Sequence, residues 1–349
     1  MRQFITICLL SVLCIISVHA QTPTLKFNTD GEFKIVQFSD VHYKVTEPGS
    51  QPAKDIIANV LDYEKPDLVI FTGDTVYGAP VLSGLETILK IVQQRHIPYA
   101  VTWGNHDSEF DKSRAEIQAF VERQPYNIGF TPENISGYSN FVLPIAAAAT
   151  AKEAPAATAT AQTSGKVATS STATSAPAAV IYCFDTHERN KIDDVPGYDW
   201  IHSDQIEWYK QNSRMFTKNN GGKPLYSLAY FHIAFPEYKE AALNDKCVLY
   251  GNRMESIGCP QINSGLFAAM KECGDIRATF AGHDHDNNFI VKWYGIYLGQ
   301  GQCSGAADAY YHVPGPRGGR VVVLKEGSEA FTTWIRYQDG TASAQMTFE

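Results

Sequence analysis

"KPDLVIFTGD", Lys65 to Asp74, is a short apolar run with a proline before it and a Gly-Asp pair after it. A run of that length between breakers reads as a strand buried on both faces. Upstream lies "FKIVQFSDVHY" (Phe33–Tyr43) and downstream "IPYAVTWGNHD" (Ile97–Asp107), both of the same kind. Between them Ile56, Ile57, Val60 and Leu61, then Leu82, Leu85, Leu89 and Val92, recur at helical spacing. Strand, helix, strand, helix, strand predicts parallel strands joined by crossover helices. Each strand runs into a polar cluster, "FSDVH", "FTGD" or "TWGNHD", and the carboxyl ends of such strands are where sites are built.

The pattern continues downstream. Ser113 with Glu116 forms a capping box for a third helix. "GYSNFVLPI" and "AAVIYCFDT" are strands flanking residues 146–179, which are almost entirely Ala, Thr and Ser. That composition cannot bury a core. It predicts a disordered insertion at a hairpin tip rather than a linker between domains, because polar strand ends fall on both sides of it. A helix from about Ser203 to Phe216, the strand "LYSLAYFHI", a helix from Ser264 to Glu272 and the strand "IRATFAGHDH" follow. The hairpin "FIVKWYGIYLG" and the strands "RVVVLKE" and "AFTTWIRY" close the chain. At the start, "LKFNTDGEFKIVQFSD" reads as a hairpin turning on Asp30-Gly31.

The balance of 29 basic and 37 acidic residues, without a long Lys/Arg run, disfavours nucleic acid and anionic membranes as partners. "MRQFITICLLSVLCIISVHA" has the positive start, apolar stretch and small-residue end of a secretory signal, with cleavage expected after Ala20. The remainder, residues 21–349, is expected to form one domain, secreted or periplasmic, with no membrane span in the mature chain. Export permits disulfides. Cys247 and Cys259, bracketing a short turn-rich segment, are the pair best placed for one; a fully free set is the alternative.

The polar strand ends collect Asp40 and His42, Asp74, Asn105 and His106, His232, and His283 and His285. Taken singly, each has an ordinary structural reading. Together, imidazole, carboxylate and amide oxygen without thiolate are the ligand set of Zn, Fe or Mn. Residues two apart at a strand end face one side, so Asp40 with His42, and His283 with His285, present paired ligands. Two ions sharing one carboxylate would use the whole set.

"DVH…GD…GNHD…H…GHDH", in that order, resembles the calcineurin-like metallophosphoesterase family, and its purple acid phosphatase-like subgroup in particular. The resemblance implies an α/β fold of four layers, a β-sandwich flanked by helices with the site at one edge. It implies Asp40, His42 and His285 on a first metal, Asn105, His232 and His283 on a second, and Asp74 bridging. His106 would face the leaving group, with Asp107 orienting it. The activity implied is metal-dependent hydrolysis of phosphate esters, by a phosphomonoesterase or a phosphodiesterase, with a weakly catalytic metal binder as a further alternative. Purple acid phosphatases use a tyrosine three residues past the bridging aspartate as a ferric ligand, a position held here by Tyr77. They have glycine where this chain has His42, so His42 is expected to take that slot and Tyr77 to pack beside the cleft.

Overall fold

The structure, a computed structural model, describes residues 23–148, 176–306 and 315–349. The signal segment and most of the Ala/Thr/Ser-rich stretch lie outside the described residues. The first half runs β1 (Glu32–Phe38), α1 (Pro52–Glu64), β2 (Leu68–Thr72), α2 (Val81–Gln93), β3 (Tyr99–Thr102), α3 (Arg114–Val121) and β4 (Phe141–Ala146). It continues with β5 (Pro177–Cys183), α4 (Ser203–Asn219), β6 (Ser227–Tyr230), α5 (Pro236–Ala242), β7 (Leu249–Tyr250), α6 (Leu266–Cys273) and β8 (Ile276–Ala281). The chain ends with β9 (Ile290–Trp293), β10 (Ile296–Gln300), β11 (Gly318–Lys325), β12 (Phe331–Tyr337) and β13 (Met346–Phe348).

Two sheets result, ordered β13-β12-β11-β1-β2-β3 and β4-β5-β6-β8-β10-β9-β7. β1, β2 and β3 pair in parallel, as do β5, β6, β8 and β10. Strand alternation builds the layers. Ile35, Leu68 and Ile70 of the first sheet meet Ile181, Leu228 and Ala278 of the second in one shared core. Their neighbours Val36, Val69 and Phe71 point the other way, onto Ile57, Val60, Leu85 and Ile88 of α1 and α2. On the far side Tyr182 and Ala229 pack with Tyr209, Phe216 and Met270 of α4 and α6. The order is helices, sheet, sheet, helices, the four-layer α/β arrangement read from the resemblance.

Parallel pairing places the carboxyl ends of β1, β2 and β3 side by side, and likewise those of β6 and β8. Arg320 of β11 joins the sheets behind them. Buried between the layers, it donates from Nε to Gln300 O at 2.9 Å and from Nη1 to Thr333 Oγ1 at 3.1 Å.

Several local expectations change. The Asn28–Gly31 turn forms, but no hairpin grows from it. Both edges of β1 are taken by β11 and β2, so the arm before the turn bridges Ala146 of β4 through Lys26. Ala146 and Pro177–Ala179, assigned to the insertion, belong to β4 and β5. Cys247 and Cys259 are free thiols. The segment between them is drawn out rather than folded into a closing turn: β7 pairs with β9, and Gly258 N donates to Asp284 Oδ1 at 2.9 Å.

β4 and β5 pair antiparallel with Ala146 opposite Pro177, so the chain leaves and returns at one point. Replacing residues 149–175 by a short Gly-containing turn should therefore leave far-UV circular dichroism and the melting temperature essentially unchanged. Loss of soluble protein on that replacement would contradict this.

Candidate metal centre

The loops after β1 and β2 run together as a two-stranded ledge. Asp40 N donates to Gly73 O at 3.1 Å and His42 N to Asp74 O at 2.9 Å. Asp40, His42, Asp74 and His283 all hold positive φ, at 54°, 46°, 50° and 74°. Such conformations cost non-glycine residues of the order of 1–2 kcal/mol each and concentrate at functional sites. The turns are as tight as the glycines allow. A Cβ on Gly104 would lie 2.1 Å from Asp74 Oδ1, and one on Gly282 would lie 1.9 Å from Ser39 Oγ.

Asp40, His42 and His285 bring one ligand atom each within 4.8 Å of one another, and so do Asp74, His232 and His283. Asp74 Oδ2 links the groups, 3.2 Å from His232 Nε2 and 3.6 Å from His42 Nε2. Its Oδ1 accepts the His106 N–H at 2.8 Å. Asn105 Oδ1 joins the second group, 3.2 Å from His232 Nε2.

These contacts decide what the site is made to hold. His232 Nδ1 lies 2.7 Å from Thr72 O, which can only accept, so the ring's first proton belongs there. Nε2 is left with a lone pair facing a carboxylate oxygen and an amide oxygen, three acceptors converging in a buried space. That is unfavourable unless a cation or a second proton sits among them. Burial by itself would lower the His232 pKa, yet Asp74 beside it pushes it up to about 9. Asp74 shows the reciprocal effect. Burial opposes its ionisation, but the imidazoles of His232, His42 and His106 hold it below the usual carboxylate range. Asp40 is held low against burial by His285 and His42. His283, lowered to about 3 by burial and by His232, stays a neutral donor. The donor set fits divalent or trivalent cations bound through nitrogen and oxygen.

Asp107 has a different task from the one expected of it. Its Oδ2 accepts N–H bonds from Asp74 and Gly104, both at 2.8 Å, and its Oδ1 accepts from Thr75 at 2.8 Å and Val76 at 3.2 Å. It clamps the "TGD" turn to the "GNHD" turn. His106 is held instead by Glu109, whose Oε2 is 2.7 Å from Nδ1. Nothing in sequence favoured Glu109 over its acidic neighbours; only the turn geometry selects it. Arg114 braces the same turn, donating to Gly104 O at 2.7 Å and Asp185 Oδ1 at 3.1 Å. Asp284 fixes the "GHDH" turn, accepting from Gln300 Nε2 at 2.9 Å and Asn287 Nδ2 at 2.8 Å. Tyr77 packs edge-on against His42 and His106, with ring centroids 5.4 Å and 4.8 Å away. Tyr198, on the loop after β5, sits 4.5 Å from the His283 ring.

The layering, with two groups of side chains at its strand ends that could each hold a cation, fits a metal-dependent phosphoric ester hydrolase. Comparison with known proteins gives the family. Residues 33–287 match the family described as Calcineurin-like phosphoesterase, and the chain belongs to it. It is 28% identical to "Probable inactive purple acid phosphatase 29" of Arabidopsis thaliana, covering 95% of this chain and 89% of that one. It is 30% identical to "Probable inactive purple acid phosphatase 14" of the same plant, over 85% of this chain and 79% of the relative. "Phosphatase DCR2" of Saccharomyces cerevisiae is 28% identical over 77% of this chain and 46% of its own length. Among solved structures, a dimetal phosphatase from Danio rerio shares the fold with a TM-score of 0.58 at 11% identity, covering 90% of this chain and 98% of that one. Among the described residues no helix is long and apolar enough to cross a membrane.

Asp107→Ala should lower unfolding free energy by about 3 kcal/mol or more, since buried N–H groups lose a charged acceptor. Urea denaturation reads this. An unchanged midpoint with only turnover reduced would return Asp107 to a role through His106.

Proposed function

We propose that the protein is an exported phosphomonoesterase with a dinuclear metal centre. Asp40, His42 and His285 would hold one ion, Asn105, His232 and His283 the other, and Asp74 both. The observation that carries this is the convergence of His232 Nε2, Asp74 Oδ2 and Asn105 Oδ1, acceptors that need a cation or a second proton among them. The ions would be Zn, Fe or Mn, as the nitrogen and oxygen donors suit these. When bound, they neutralise phosphoryl charge and make water nucleophilic near neutral pH.

The chain's own groups would do the rest. Asp74 is kept anionic by three imidazoles and stays a ligand at neutral pH. Glu109 would accept a hydrogen bond from the Nδ1–H of His106, and the ring, protonated on both nitrogens, would give its Nε2 proton to the departing alkoxide. His106 is partly exposed, its side chain at 18% accessibility, so it can meet a substrate that the buried ligands cannot reach directly. No covalent phosphoenzyme is needed, consistent with the lack of a serine or cysteine nucleophile motif. Export rests on the character of Met1–Ala20.

Three plant relatives carry the word "inactive" in their names, which favours a second reading as a metal binder with little turnover. The complete donor set weighs against it. Hydrolysis of p-nitrophenyl phosphate beside bis-p-nitrophenyl phosphate, with Mn, Zn and Fe added separately, separates the readings. The monoester should be the better substrate. A preference for the diester would make the enzyme a phosphodiesterase, and no turnover with any metal would leave the binder.

His106→Ala should keep its metals and lose about 10²-fold or more in turnover of alkyl phosphates, with a smaller loss for p-nitrophenyl phosphate. Glu109→Gln should show the same leaving-group dependence more weakly. Equal losses for both esters would remove the general-acid role.

Tyr77→Phe should change activity by no more than a few-fold, and the iron-loaded protein should be colourless or pale. An intense visible band lost in Tyr77→Phe would place a phenolate on iron and displace His42.

A further inference from the structure

Beyond the strand ends, a second convergence of ligand atoms lies on the loop between β5 and α4. His187 and Asp199 sit on that loop, and His202 is the residue that caps α4. One donor atom from each of the three lies within 4.8 Å of the others. All three are half-buried. None belongs to the dinuclear centre.

The hydrogen bonds around them settle where the lone pair of His187 is. Asn140 Nδ2 donates to Ser136 O at 2.7 Å, and Asn140 Oδ1 accepts from Asp185 N at 3.0 Å. That orients Asn140 and makes its oxygen an acceptor for Gln205 Nε2, at 2.8 Å. Gln205 Nε2 also donates to Asp185 O at 2.8 Å, so both its protons are used. Gln205 Oε1 is then a pure acceptor. It takes the His202 backbone N–H at 2.7 Å and His187 Nε2 at 2.9 Å. His187 must carry its proton on Nε2, and the lone pair falls on Nδ1. An imidazole whose one nitrogen donates to a fixed carbonyl while the other keeps its lone pair is the arrangement that metal-binding histidines use.

His202 Nε2 lies 3.1 Å from Asp199 Oδ1, close to the roughly 3.3 Å that separates two ligands of a tetrahedral ion with bonds near 2.0–2.1 Å. The proton bridging that pair is the one a cation would displace. The two imidazoles stack with centroids 4.4 Å apart and planes 23° from parallel, so one ring must turn about its Cβ–Cγ bond for both lone pairs to meet on one ion.

We infer that His187, Asp199 and His202 form a third, structural cation site for a borderline divalent ion such as zinc, with the fourth position left to water. The loop it would fasten is closed on itself by Asp199 N to Glu188 O at 2.8 Å and Asn190 N to Gly197 O at 3.2 Å. That loop presents Tyr198 to His283 at 4.5 Å, with the Arg189 guanidinium over the Tyr198 ring at 5.5 Å. The ion would pin to the start of α4 a segment that packs on the His283 side of the dinuclear centre. The site shares no ligand with that centre, so it stands whether or not the protein is a phosphatase.

Equilibrium dialysis of the full-length protein against zinc, followed by elemental analysis, tests it. The wild type should hold about three ions per chain and the His187→Ala/His202→Ala variant about two. On an Asp74→Asn background, which disables the dinuclear centre, zinc should still raise the melting temperature by several degrees. It should no longer do so once His187 and His202 are also replaced. If the double variant does not fold, His202→Gln keeps a donor for Asp199 but offers no imidazole lone pair, and should lose the same one ion. Equal zinc content in wild type and these variants, or no stabilisation by zinc on the Asp74→Asn background, overturns the site.

Discussion

A single proton orders this molecule. Thr72 O, at the end of a parallel strand, can only accept, so His232 must give it the Nδ1 proton and turn Nε2 toward Asp74 and Asn105. Thr72 belongs to the first sheet and His232 to the turn that follows β6 of the second. The bond therefore fixes both the chemistry of the imidazole and the approach of one sheet to the other. A residue on Gly73 with any side chain would break it, because a Cβ there would lie 2.5 Å from His232 Nδ1. Everything else at the site is arranged around that fixed ring: a carboxylate kept ionised, a neutral His283, and turns in conformations that glycine would otherwise supply.

Strain of this kind has to be held by something. Asp107 does much of the holding, with four backbone N–H groups on one carboxylate. Its own pKa is raised to about 6 by burial and by the charge on Asp74. Burial also raises Asp284, to about 7, although it accepts the Gly258 N–H. The ligands are thus backed by acids whose ionisation burial makes expensive, and whose hydrogen bonds make that expense tolerable.

Much of this was legible in the chain. β2 read as a strand buried on both faces, and every residue of Leu68–Thr72 is buried. The Ser113 capping box is present as read, with Glu116 N and Ser113 Oγ paired. The polar strand ends stood out because Asp, His and Asn are poor strand residues. What stayed hidden was long-range. The arm before Asp30 pairs with β4 rather than β1, since β11, nearly three hundred residues downstream, claims that edge. Local pattern carries no trace of such competition. Asp107 turned to the backbone and Glu109 to His106 for a similar reason, because turn geometry rather than sequence proximity decides which carboxylate meets which donor. The second His–Asp–His convergence has no motif at all; its members are spread along an irregular loop and the start of α4, and only the folded chain brings them together.

The candidate ligands around Asp74 stand at strand ends of both sheets and at both ends of the matched region, Asp40 near its start and His285 near its end. In polymer terms, a filled centre is a cross-link that closes most of the chain into one loop. The chain-entropy treatment of cross-links assigns about 5 kcal/mol to loops of that size. Resistance to unfolding would then follow the free metal concentration of the surroundings, and a chelator would act on this protein much as a reductant acts on one held by disulfides.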